Sequence, residues 1–117
     1  MSSTKDVADH HLKAFLAGDL DETLKDYAEG SVFISPNGIA HGRDEIHAVF
    51  IRLFAGLFAP GTYTFTVDME HCEGDVAYTL WHAECADADI VLGTDTLVIR
   101  DGAIMTQTVA LKLAPKG

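Results

Sequence analysis

Apolar positions recur at spacings of three and four through the first half of the chain, and at spacings nearer two through the second. Across residues 5–17, Val7, His11, Leu12, Phe15 and Leu16 share one stripe, which predicts an amphipathic helix. Gly18 ends that helix and Asp19 can cap a second, on which Leu20, Leu24 and Tyr27 form the stripe. Ser31 to Ser35 is β-branched and apolar, a short strand closed by a Pro36-Asn37-Gly38 turn. His41-Gly42-Arg43-Asp44-Glu45 opens a third helix, its first-turn acids suited to the helix dipole. Ile46, Val49, Phe50, Leu53 and Leu57 mark its buried face as far as Pro60-Gly61. Four long strands follow, at 62–72, 76–86, 90–100 and 103–113. Their separators are Glu73-Gly74-Asp75, Asp87-Ala88-Asp89 and Asp101-Gly102, the last read as a bulged hairpin turn.

Helices first and strands last predict an α+β domain, a mainly antiparallel meander with helices on one face, here over residues 5–114. If strongly curved, such a sheet makes a cone that closes on the helices and leaves a pocket inside. The chain has 117 residues and 48% of them are hydrophobic, enough for a folded core without staples. Eight Lys and Arg stand against 18 Asp and Glu, a net charge of −10. That balance argues against nucleic acid and against an anionic membrane surface, since both need clustered cations. No run of about 18 apolar residues occurs. The polar opening, with no apolar stretch behind it, leads to the expectation of no leader and a cytoplasmic address.

Two cysteines are too few for a disulfide framework. His71-Cys72 and His82-x-x-Cys85 suggest metal ligation on paper. Both lie in expected strands, where residues one or three apart point to opposite faces, so one ion cannot collect either pair. The expectation is two buried thiols, with no metal and no cofactor.

The order of elements and several short stretches resemble a known family. Helix, Ala-Gly-Asp, helix, Tyr-Ala-Glu-Gly-Ser, a strand ending in Pro, His-Gly-Arg-Asp-Glu-Ile and four strands are similar to the SnoaL-like branch of the cone-shaped NTF2-like superfamily. Ketosteroid isomerases, polyketide cyclases and scytalone dehydratase belong to that superfamily. The stretch from Tyr27 to Phe50 and the ending Gly93-Thr94-Asp95-Thr96-Leu97 to Gly102 carry the resemblance most specifically. In the isomerases a Tyr on the first helix and a protonated Asp on a late strand donate hydrogen bonds to the developing enolate, and a second Asp shuttles the proton. The resemblance puts the late-strand acid on Asp95, the helix Tyr on His11 and the base on Ser35. The partner tyrosines fall on Tyr27 and, without its hydroxyl, on Phe50. A serine hydroxyl does not abstract a carbon-bound proton near pH 7, so the resemblance implies the cone and its cavity but not steroid isomerisation by that mechanism.

If the parity of Asp95 faces the cone, Gly93, Asp95 and Leu97 line it, with Val109, Gln107 and Met105 opposite. Tyr78, Leu80, His82 and Glu84 are the matching positions of the strand before. His82 and Asp95 then form the natural acid–base couple, since a carboxylate can fix a histidine tautomer. A one-residue slip at Asp87-Ala88-Asp89 would send that set outside, and of Trp81 and His82 only one can face in. His11 is either a satisfied core histidine or a ligand contact, and Ser35 either a strand-end hydroxyl or a pocket group. The opposite parity (Trp81, Ala83 and Cys85, with Thr94, Thr96 and Val98) is too apolar for water, so a homodimer through the sheet is expected. Together these features predict a protein that takes a hydrophobic or aromatic small molecule, with isomerisation, cyclisation or dehydration open to His82 and Asp95. The alternative is a binding or dimerisation module without chemistry.

Overall fold

The computed structural model describes residues 3–116. Helix α1 runs Thr4–Leu16. The Ser3 hydroxyl accepts from the Asp6 N–H and the Asp6 carboxylate accepts from the Ser3 N–H, a reciprocal cap that satisfies two orphan donors. Val7, Ala8, His11 and Ala14 are its buried residues. Gly18 then turns the chain at φ 65°, where a Cβ would sit 2.4 Å from Cγ of Pro60. Only glycine meets both the left-handed backbone and that close approach. Asp19 caps α2, Leu20–Leu24, by accepting from the Glu22 N–H at 3.1 Å.

Tyr27 does not continue the second helix as its spacing suggested; it begins strand β1, Tyr27–Ser35. Pairing with Ile104 and a side-chain hydrogen bond to Gln107 outweigh the local helical pattern. A short strand, β2 (Gly38–His41), returns along β1 where a turn alone was expected. Helix α3 spans Gly42–Ala55 and stops before Leu57; Phe58, beyond it, is buried. Strands β3 (Thr64–Glu73), β4 (Val76–Glu84), β5 (Ala88–Arg100) and β6 (Ala103–Pro115) form the meander. The β5–β6 turn is tighter than expected. Arg100 pairs with Ala103, and Asp101 and Gly102 alone make the turn at φ 52° and 77°.

The sheet order is β2-β1-β6-β5-β4-β3, with β1 and β6 parallel and every other pair antiparallel. Irregular pairing at Val67/Met69, Trp81/Ala83, Ile90/Leu92 and Val98/Ile99 interrupts the ladders. Such bulges raise the local twist and bend a sheet. One core cluster, around Ile46, Phe50, Leu97 and Ile104, lies under α1 and α3; a second gathers Phe58, Trp81, Ala83, Cys85 and Ile90. Phe15 joins the two, its ring within 6.5 Å of Phe50, Phe54, Phe58, Tyr63 and Phe65. Among the described residues no helix is long and apolar enough to cross a membrane.

His10 fastens α1 to α2 and to the turn that leads into β1. Its Nδ1 lies 2.8 Å from both Asp26 carboxylate oxygens and its Nε2 3.0 Å from Glu22. Those hydrogen bonds, Asp26 first and Glu22 second, raise the imidazole above its ordinary 6.5. A raised folded value means stability that is complete below 6.5 and lost as pH climbs through the folded value. We expect the thermal midpoint of the wild type to decline as pH rises above 6.5 and through the raised folded value. His10→Gln should lower the midpoint at pH 6 and flatten that decline, and equal slopes in the two proteins would remove His10 as the cause.

Candidate functional site

The concave face of the sheet and helices α1 and α3 enclose a cavity of about 410 Å³. Alternation along the strands decides what lines it. From β5 come Asp95 and Leu97, from β4 Thr79 and Trp81, and from β6 Gln107, Val109 and Leu111. Phe33 and Ser35 of β1, His11 and Phe15 of α1, and Phe50 and Leu53 of α3 complete most of the wall. The lining is mainly apolar and aromatic with a few convergent polar groups, the composition of a small-molecule site.

Asp95 is the focus of the polar groups. The Trp81 indole N–H donates to its Oδ1 at 3.1 Å, and the Gln107 amide donates to its Oδ2 at 3.1 Å. The Tyr27 hydroxyl in turn donates to Gln107 Oε1, which turns the amide's donor end toward Asp95. Trp81 reaches this position because its cross-strand partner is Gly93. A Cβ on residue 93 would lie 2.3 Å from the indole Cε2, so the ring can cross β5 only over a glycine. Burial pushes the Asp95 carboxyl from 3.8 up to about 6, against the two hydrogen bonds, which favour the charged form. The group stays half-buried, its open side bordering the cavity.

His11 is only 7% exposed and stands edge-on to the Tyr27 and Phe50 rings. Its Nδ1 is sealed and has no hydrogen-bond partner. Burial, with a smaller contribution from neighbouring His10, lowers it from 6.5 to about 4, so the ring is neutral at pH 7. Ser35 borders the cavity, but its oxygen accepts the Asn37 N–H at 3.2 Å and is engaged in the turn.

Several expected positions move. The β4–β5 register pairs Thr79 with Asp95 and Trp81 with Gly93, so Tyr78, Leu80 and His82 face away from the cavity. His82 falls in the Trp81/Ala83 bulge and bonds Asp68 on β3 at 2.7 Å; the expected His82–Asp95 couple does not form. Glu84 is an exposed strand end. Trp81, Ala83 and Cys85, assigned by parity to the outer face, are buried. In β6 the pairing is offset by two residues from expectation, Asp95 with Val109 and Leu97 with Gln107, which keeps both on the concave face. Met105 falls at a bulge, and its Cε instead lies over Gly30. Tyr27 sits behind Gln107 rather than on the cavity wall. Of the two thiols Cys85 is buried, whereas Cys72 is exposed on edge strand β3. Glu70, Thr79 and Trp81 were not foreseen as lining residues, and the one usable signal was the competition between Trp81 and His82 for a single face.

The family profile of the SnoaL-like domain matches residues 8–106. No curated protein sequence matches the chain. Among solved structures, an NTF2-like protein of unknown function from Cytophaga hutchinsonii superposes with TM-score 0.77 at 14% identity, covering 96% of this chain and 92% of that one. A provisionally named ketosteroid isomerase from Kribbella flavida gives 0.79 at 18%, covering 97% and 81%. A provisionally named SnoaL-like polyketide cyclase from Shewanella putrefaciens gives 0.76 at 15%, covering 95% and 80%. At these identities the likeness concerns the fold.

Trp81 is the only tryptophan and touches Asp95 directly, so its emission reads the carboxyl. A fluorescence titration should show a midpoint near pH 6 that Asp95→Asn abolishes. Gly93→Ala, which displaces the ring and removes a donor to the charged form, should move the midpoint upward. A titration unchanged in Asp95→Asn would assign the signal elsewhere.

Proposed function

Because the chain belongs to the SnoaL-like domain family, we propose that it binds a largely apolar, ring-bearing small molecule in the cavity and exchanges a proton with it through Asp95. The observation that carries this reading is the Asp95 carboxyl, lifted to about 6 and aimed into a 410 Å³ space by Trp81 and Gln107. A carboxyl near that value is mostly ionised at pH 7 and only weakly acidic when protonated, so it can take a proton and return it. Isomerisation, cyclisation and dehydration beside a carbonyl each require such a shuttle. His82 cannot share the work from the outer face, and Ser35 is no base. The names carried by the Kribbella and Shewanella structures, ketosteroid isomerase and polyketide cyclase, support the same broad class of ligand. An open cavity also favours ligand binding over a scaffold that fills its cone with its own side chains.

The test is a thermal-shift screen with neutral polycyclic and aromatic ketones. A ligand at 100 times its Kd adds about 2.7 kcal/mol, a rise on the order of 10 °C for a chain of this size. Val109→Trp, which fills the space opposite Asp95, should erase the rise, and Asp95→Asn should erase turnover while binding persists. A rise untouched by Val109→Trp would move the ligand out of the cavity.

We also propose that two copies pair through the convex face, which carries Thr94, Thr96 and Val98 as expected, with Tyr78 and Leu80 in place of the buried Trp81, Ala83 and Cys85. Met69 is 45% exposed beside Leu80 and Leu92 is 51% exposed on the same face, apolar area poorly suited to water. Light scattering at micromolar concentration should give a dimeric mass for the wild type and a monomeric one for Leu80→Asp. A monomeric wild type would overturn the pairing.

A further inference from the structure

We propose that the ligand of this cavity is a lipophilic amine, its ammonium group paired with Asp95 and its apolar body among the aromatic rings. The inference rests on the cavity being a small-molecule site and specifies the ligand's charge. The ionisable groups on the wall are His11, Glu70 and Asp95, and neither lysine nor arginine lines it. Both oxygens of Asp95 are held by neutral donors, Trp81 and Gln107, and among the described residues no cation pairs with it. A carboxylate sunk in an apolar enclosure without a counter-charge is costly, and a ligand cation removes that cost.

Three further features agree. Glu70 of β3 and Asp95 of β5 both face the cavity from opposite sides of Thr79, to which each is paired. Two strand spacings, about 10 Å, separate their backbones. Glu70 keeps partial exposure and, among the described residues, has only Lys5, 3.8 Å away, as an ion-pair partner, so it can draw a cation inward. His11 contributes a ring that is neutral at pH 7, so the α1 side of the wall brings no positive charge to compete for Asp95. The aromatic lining of Phe15, Phe58, Phe65 and Trp81 suits an apolar, ring-bearing body, whereas a carboxylate ligand would meet repulsion from Asp95, Glu70 and a chain of net charge −10. A cation next to the reacting carbon also stabilises the negative charge that proton removal builds there, so ion pair and proton shuttle serve one ligand.

The groups facing Asp95 set the pH dependence. They are His11 from α1, Tyr27 behind Gln107 from β1, Glu70 from β3, and Thr79 and Trp81 from β4, while α3 presents only Val49, Phe50 and Leu53. Near pH 5 His11 remains neutral, so the group that changes charge at the contact between pH 5 and 7.5 is Asp95.

The experiment compares 4-phenylbutylamine, 4-phenylbutan-1-ol and 4-phenylbutanoate, which share one skeleton, by calorimetry and thermal shift. At pH 7.5 the amine should bind about ten- to a hundredfold more tightly than the alcohol, the range of a charge-assisted bond, and the carboxylate should bind weakest. The preference should shrink at pH 5 in the wild type and vanish in Asp95→Asn with alcohol affinity kept, a native far-UV circular dichroism spectrum and cooperative melting certifying that variant's fold. Glu70→Gln should weaken the amine a few-fold, mainly at low salt. An alcohol that binds as well as the amine, or an amine preference that survives in Asp95→Asn, overturns the proposal and leaves the small-molecule reading standing. Failure of all three compounds to bind the wild type overturns both.

Discussion

The close approach of Trp81 to Gly93 is the contact from which the site is built. An indole lying across a neighbouring strand is permitted only where that strand has no side chain. Once there, the ring does three jobs. It stacks on Phe65 with centroids 4.8 Å apart, it anchors the second core cluster beside Phe58, and it aims its N–H at Asp95. A carboxyl two residues along β5 thereby gains a fixed direction from a packing contact rather than from a charged partner. On the other side Tyr27 and Gln107 complete the clasp through β1 and β6, which meet in the sheet's one parallel pairing.

Two titrating groups share this interior, His11 buried and Asp95 half-buried, and they pull stability in opposite directions. Asp95 holds its proton more tightly folded than unfolded, so raising pH from 3.8 to about 6 lowers stability. His11 holds its proton less tightly folded, so raising pH from about 4 to 6.5 increases it. Each contribution is on the order of 3 kcal/mol, and across the shared window they largely offset. Above 6.5 His11 is neutral in both states and only the cost of the Asp95 charge remains. A carboxylate kept ionised in an apolar interior at the expense of stability is the usual mark of a functional group rather than a structural one.

Much of the architecture was legible from periodicity. The stripe of α1, the four late strands and the inward parity of Asp95, Leu97, Gln107 and Val109 follow from spacings of 3.6 and 2. The β4 register did not, because it depends on one extra residue in β5 between Ile90 and Gly93, which has no local signature. That bulge shifts the pairing by one, and so decides that Trp81 enters and His82 leaves. Size settles the same question physically: the cavity floor has room for an indole over Gly93, and the imidazole finds Asp68 in water. Strand β2 and the strand state of Tyr27 were hidden for another reason, since both depend on partners distant in sequence.

The substitutions relative to the isomerase pattern form a consistent set. Where that pattern has a base before the proline, Ser35 offers an oxygen already used by the Asn37 N–H. Where it has a tyrosine on the first helix, His11 offers a neutral ring rather than a strong phenolic donor. Both changes remove acidic or basic capacity from the helix side and the β1 end of the cavity. Of the isomerase pattern's acidic groups the β5 carboxyl survives, so in the proposed proton exchange Asp95 both accepts and releases the proton. Such a group works best when its affinity for the proton is close to the ambient pH and its orientation is firm. Burial supplies the first condition. The paired donors Trp81 and Gln107 supply the second, and they hold the value near 6 instead of letting desolvation drive it higher. The same clasp that orients the carboxyl therefore also sets the pH range over which it can act.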